Sequence, residues 1–165
     1  MSGTVNSRSA PAAHVLPERC RTAVEHFAAV VGSHARWAVD GSAALALQGI
    51  DVEPADVDIL TDTEGAYRIQ ELLAEYAVKP VAYGETNRYR SHFGRFSVGG
   101  TEIDVMGDLK VYRNGTWSET QNPSTVKISQ VVLGGNSIPV VSLDTLRATG
   151  YLSERTQRHA PRQDR

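Results

Sequence analysis

Cysteine is all but missing from this sequence: Cys20 stands alone among 165 residues. One thiol builds neither an intramolecular disulfide framework nor a multi-cysteine zinc site, and within its helical pattern Cys20 reads as a core side chain rather than a nucleophile. A surplus of charge is missing too. The 17 Lys and Arg meet 19 Asp and Glu, a net of −2, so no global field draws the chain to nucleic acid or to an anionic membrane. No apolar run nears the roughly 20 residues that span a bilayer, and the start MSGTVNSRSAPAA lacks the apolar segment of a signal peptide. These absences predict a cytoplasmic protein with no membrane partner. His14, His26, His34, His92 and His159 lack metal-ligand spacing; His26 is expected on the surface of the first helix, and only His92 lies near a potential cleft.

What is present fits one domain with a real core, 41% of residues being hydrophobic. Residues 1–13 are expected to form a disordered tail, residues 14–152 the domain, and residues 153–165 a solvated basic tail. Pro17-Glu18 opens a helix with Cys20, Val24, Phe27, Ala28 and Val31 on its apolar side, ending at Gly32-Ser33. Trp37 to Val39 reads as a buried strand, Ser42 to Leu47 as a short helix, and Asp56 to Leu60 as an alternating strand. Thr61, Asp62 and Glu64 start a helix to about Tyr76, closed by Lys79-Pro80. Beyond it the period becomes two. PVAYG, RYRSHFGRFSV, TEIDVMGDL, KVYRNGTW, VKISQVVL and SIPVVS read as strands or strand fragments, with turns at Gly99-Gly100, Asn114-Gly115 and Gly134-Gly135-Asn136. A short helix, LDTLRATGYL, follows Ser142. This order predicts an α+β fold, a sheet covered on one face by helices.

Chemistry concentrates in WAVDGSAALALQGIDVEPADVDIL, residues 37–60. In a strand Asp56 and Asp58 share a face, and two carboxylates side by side are unfavourable unless a cation lies between them. Mg²⁺ takes one or two carboxylates together with substrate phosphates. Acid-x-acid pairs also occur at Asp51/Glu53, Asp62/Glu64 and Glu102/Asp104, so spacing alone says little. The setting distinguishes Asp56/Asp58: a buried strand continues from it, and Gly41-Ser42 stands upstream on a strand-to-helix turn where Gly41 admits a phosphate closely and Ser42 donates to it. Asp40, a charge at the end of an apolar strand, either lines the cleft or caps the turn. Asp104, between Ile103 and Val105, is a third acid poorly explained as surface decoration, and it is preferred over Glu102, which lies nearer the Gly99-Gly100 turn and water. If that turn holds two residues, Val98 pairs with Thr101, Ser97 faces Glu102 and Arg95 faces Asp104.

Gly41-Ser42, then Asp56-Val57-Asp58, then Ile103-Asp104-Val105 resembles the signature of the polymerase-β-like nucleotidyltransferase superfamily. The chain is similar to its small members related to aminoglycoside and lincosamide nucleotidyltransferases and to nucleotidyltransferase toxins. The resemblance implies a mixed sheet with helices on one face. It implies transfer of a nucleoside monophosphate from a nucleoside triphosphate such as ATP to an acceptor hydroxyl on a small molecule, RNA or protein, with pyrophosphate leaving. Carried over, Asp56 and Asp58 hold Mg²⁺, two ions in all; Asp104 is the third metal ligand or the base that takes the acceptor's proton, and Gly41, Ser42 and Arg95 meet the triphosphate. Few residues follow Ser142, where many relatives continue into helices, which implies a macromolecular acceptor or a second subunit, a homodimer or another partner, that completes the pocket. The competing readings are a catalytically silent nucleotide-binding or toxin-antitoxin module of the same fold, and a phosphoesterase with water as acceptor.

Overall fold

The computed structural model describes residues 16–150; the expected tails, residues 1–13 and 153–165, lie outside the described residues. The first helix, α1 (Glu18–Val31), buries Cys20, Ala23, Val24, Phe27 and Val31 at the spacing of one helical face and stops at Gly32. After a single 3₁₀ turn come β1 (Trp37–Asp40), α2 (Gly41–Leu47) and β2 (Val57–Thr61). The next helix, α3 (Thr63–Leu72), starts where the Asp62 side chain accepts from the Gly65 N–H at 2.6 Å, and its last turn tightens into a 3₁₀ turn ending at Tyr76. Five strands and a sixth short one follow: β3 (Ala77–Glu85), β4 (Tyr89–Val98), β5 (Thr101–Arg113), β6 (Thr116–Trp117), β7 (Ile128–Leu133) and β8 (Asn136–Val141), then α4 (Leu143–Ala148).

The strands form one mixed sheet ordered β3-β4-β5-β2-β1-β8-β7, with β6 paired to β5. β2 runs parallel to β5 and β1 parallel to β8, while the other neighbours on that path are antiparallel. Side chains alternate, so Val57, Ile59, Ile103 and Val105 face the helices and are wholly enclosed. Phe27 of α1 meets the Trp37 ring edge-on at 4.8 Å between centroids on this side. Gly107 lies close under α3: a methyl there would sit 2.8 Å from the Asp62 carbonyl oxygen and 3.0 Å from the Ala66 Cβ.

The strand expected from Asp56 begins instead at Val57, so Asp56 precedes β2 and the shared strand face expected for Asp56 and Asp58 is not formed within it, and two later boundaries differ as well. Pro80 does not close the helical segment; β3 begins earlier, at Ala77, and carries Pro80 through an irregular pairing between Lys79 and Ala82. An edge strand tolerates the missing donor there. TEIDVMGDL and KVYRNGTW are not separate fragments either, because β5 runs through both as one 13-residue strand. Its continuity depends on a bulge. Arg90 pairs with Lys110 and His92 with Gly107, so β5 holds one more residue than β4 over this stretch, and Asp108 takes a positive φ of 52°. Both Asp108 carboxylate oxygens are held: Oδ2 accepts from the Thr63 N–H at 3.0 Å and the Thr63 hydroxyl at 2.5 Å, and Oδ1 accepts from Asn122 Nδ2 at 2.8 Å.

Candidate active site

Gly99 and Gly100, with φ of 56° and 82°, make a two-residue turn. Such a turn fixes the register of β4 on β5, and the pairs are Val98 with Thr101, Ser97 with Glu102 and Arg95 with Asp104. Across the other edge of β5, Asp104 pairs with Asp58 of β2, and Asp58 pairs in turn with Asp40 of β1. Arg95, Asp104, Asp58 and Asp40 therefore form one row across four neighbouring strands, on the face opposite α1 and α3. Adjacent strands lie roughly 4.8 Å apart, so three carboxylates are brought together without any sequence proximity. Like charges placed so are unfavourable, and each needs a compensating partner.

Arg95 supplies one. Its Nε donates to Asp104 Oδ1 at 2.8 Å and its second terminal nitrogen to Oδ2 at 3.3 Å, a two-pronged fork, while Glu102 lies 3.4 Å from the same Nε. The Asp104 side chain is 16% exposed against 47% for Glu102. The Arg95 guanidinium is held further into its charged range by the Asp104 hydrogen bond.

Asp40 takes both roles considered for it. Its Oδ1 accepts from the Gly41 N–H at 2.8 Å at the start of α2, and it also lines a cavity with Asp58. Burial pushes its carboxyl above the usual range, against the Gly41 hydrogen bond. Gly41, at φ 64°, turns the chain from β1 into α2, and its own N–H is committed to Asp40. Ser42 is half-buried and opens onto a second cavity of about 220 Å³, which it shares with Glu53, Asp56 and Asp58. Asp56 is exposed, one residue before β2 begins. Asp58 lines both cavities, the larger of the two being about 330 Å³ and lined along β5 by Met106, Leu109 and Val111.

His92 lies on the helix side instead. It pairs with Gly107, and its Nδ1 is 3.0 Å from the Tyr67 hydroxyl of α3, so it does not reach the carboxylate row. Cys20 is fully buried, its thiol 3.5 Å from the Pro54 carbonyl oxygen and pushed up by burial, which suits the core role. Sequence reading did not find Glu53 beside Asp56 and Asp58, nor the apolar floor along β5. Glu53 had only its spacing from Asp51 to mark it, and the floor arises from the bulge.

Among the described residues, no group of three or more His, Cys, Asp or Glu side chains stands ready to hold a metal ion. The fork of Arg95 engages both oxygens of Asp104. The donors at Asp56 and Asp58 are carboxylate oxygens beside a polar cavity, the donor chemistry a hard divalent cation takes.

The comparisons with known proteins agree with this fold. The chain matches the aminoglycoside-2″-adenylyltransferase family over residues 24–161, and it belongs to that family, within the polymerase-β-like nucleotidyltransferase superfamily. It is 32% identical to a Thermotoga maritima protein assigned provisionally to the nucleotidyltransferases, covering 89% of this chain and 92% of that one at a TM-score of 0.71. ANT(2″)-Ia, solved in complex with adenylyl-2″-tobramycin, is 12% identical over 81% of this chain and 76% of that one, with a TM-score of 0.52; at that identity the likeness is one of fold. No curated protein matches the chain. No helix among the described residues is long and apolar enough to cross a membrane.

Proposed function

We propose that the protein is a cytoplasmic, Mg²⁺-dependent nucleotidyltransferase that moves a nucleoside monophosphate from a nucleoside triphosphate to an acceptor hydroxyl and releases pyrophosphate. The observation that carries this reading is the pairing of Asp58, which lines both cavities, with Asp104 on a neighbouring parallel strand. ATP is the donor we favour, in keeping with the adenylyl transfer for which the family is named.

Asp56 and Asp58 would hold Mg²⁺, with Asp104 joining them for a second ion once Arg95 lets go; the ions supply charge neutralisation at the triphosphate. Ser42 donates a hydrogen bond to the phosphates from the smaller cavity. Arg95 swings from Asp104 to a phosphate oxygen, for which its planar fork is equally suited. Asp104, once freed, takes the proton of the acceptor hydroxyl. The acceptor oxygen bonds to the α-phosphorus while the bond from that phosphorus to the bridging oxygen breaks, and pyrophosphate departs with the electron pair.

The fork on Asp104 also favours a second reading, a catalytically silent module of this fold that binds nucleotide without transfer. One experiment separates the two. The protein is incubated with labelled ATP, Mg²⁺ and cell extract, beside an Asp58→Asn variant, and the destination of the label is followed. Label on an acceptor with wild type and none with the variant supports transfer. Mg²⁺-strengthened triphosphate binding in calorimetry with no labelled acceptor supports the silent module.

A further inference from the structure

The larger cavity runs along β5 away from Asp58, and its floor depends on the bulge. Upstream, the carboxylate face of β5 carries Glu102, Asp104 and Met106; strict alternation would continue it with Asp108, Lys110 and Tyr112. The extra residue shifts the phase by one, so Leu109, Val111 and Arg113 line the cavity after Met106. Lys110 turns to the other face with Arg90. Tyr89 of β4 and Leu146 of α4 add further apolar surface. Ser118 and Gln121 close one side, tied to β5 by hydrogen bonds at Val111 and Leu109: the Val111 N–H donates to Ser118 Oγ at 3.0 Å, and the Gln121 N–H donates to the Leu109 carbonyl at 2.8 Å.

Charge in this lining is sparse and unevenly placed. Asp40 and Asp58 are its carboxylates, both in the acid row, and the remaining ionic side chain among the described lining residues is Arg113. An acceptor bearing several ammonium groups loses their hydration on entering and needs carboxylates to replace it. Asp58 is committed to the Mg²⁺ that would carry the phosphates, and one oxygen of Asp40 already accepts from the Gly41 N–H. Met106, Leu109, Val111 and Leu146 instead gain by covering an apolar body.

We propose that this cavity seats the acceptor, and that the acceptor is an uncharged hydroxyl compound with an apolar body, such as a phenol or an alicyclic alcohol, rather than a polycationic aminosugar. This rests on the transfer reaction proposed above. The acceptor's oxygen enters from the Asp58 end and forms the new bond to the α-phosphorus, its proton passing to Asp104, while its body lies over the β5 floor.

The test uses the full chain with Mg²⁺ and a non-hydrolysable ATP analogue, 1-naphthol as a fluorescent apolar hydroxyl probe, and tobramycin as the polycationic competitor. Naphthol should bind, Met106→Glu and Val111→Glu should each weaken it by roughly tenfold or more through the buried charge, and excess tobramycin should not displace it. The affinity for the ATP analogue should stay within about twofold in both variants, since neither touches the phosphate side. Both positions are half-buried, and thermal melts check that each variant is folded; the tobramycin competition needs no variant. Absence of naphthol binding, binding unmoved by both substitutions, or displacement by tobramycin overturns the proposal. Loss of ATP-analogue affinity in the variants overturns it as well, because the cavity then holds the nucleobase. Failure of the wild type to bind the analogue in a Mg²⁺-dependent way is a separate readout that breaks the transfer reading instead.

Discussion

On the helix side of β5, Ile103, Val105 and Gly107 are closed in so tightly that one added methyl at Gly107 would meet the Asp62 carbonyl and Ala66; on the other side Asp104 stands in a row with Asp58 and Asp40. The first face is complementary throughout, with apolar area buried and close approach between backbone and helix. The second gathers like charges, which no folding requirement explains. The acid row costs stability, with Arg95 offsetting part of the repulsion, although Ala38 and Leu60 on the same face are fully buried. Substitutions on the two faces should thus separate activity from stability.

The largest effect is expected at Asp58. Asp58→Asn should lower transfer on the order of 10²- to 10³-fold, while the melting temperature in metal-free buffer stays level or rises as one like charge is removed. A fall in melting temperature would mean that the row is structural. Arg95→Ala should lower the transfer rate about tenfold and weaken triphosphate binding in calorimetry, because it removes a phosphate contact; unchanged rate and affinity would reduce the fork to an ordinary ion pair.

Gly107→Ala tests the opposite face. It should cost about 1–3 kcal/mol through overpacking against α3, read by denaturant unfolding, with full activity per folded molecule. An unchanged midpoint would break the contrast between the faces. At Asp108, burial opposes ionisation, yet the hydrogen bonds from Thr63 and Asn122 outweigh it and lower the carboxyl. A depressed carboxyl contributes stability that is present above the ordinary aspartate range, about pH 4, and is lost as pH falls through the lower folded value. Asp108→Asn, which still tolerates the positive φ, should cost about 1 kcal/mol near neutrality, with the gap to wild type closing on acidification. Asp40 shifts the other way: its raised carboxyl makes stability fall as pH climbs from the ordinary value to the folded one. Asp40→Asn keeps a capping side chain, so its melting temperature should match or slightly exceed wild type at neutral pH and converge below about pH 4. Melts across that pH range check both signs.

Local signals explain what could be read in advance. The Gly99-Gly100 turn fixes register by itself, so Arg95 opposite Asp104 followed from counting residues. The periodicity of α1 named its buried face, and Asp62 announced the start of α3. The bulge was not legible, because Asp108 adopts its positive φ with help from Thr63, 45 residues earlier, and Asn122, 14 residues later. Without it the β5 pattern looks like two fragments, and Leu109 and Val111 fall on the wrong face. The same distance effect decides His92: a strand position alone does not say which side α3 will cover, and Tyr67 settles it.

The bulge also has a meaning for descent. Asp108 does not line the larger cavity, yet its backbone governs which later side chains do. A change there to a β-branched residue, which resists positive φ, would strain the bulge that turns Leu109 and Val111 toward the cavity. Asp104 and Asp58, upstream and paired with each other, would keep their places. One inherited change outside the cavity would then disturb several of its walls at once while leaving the carboxylate row in place.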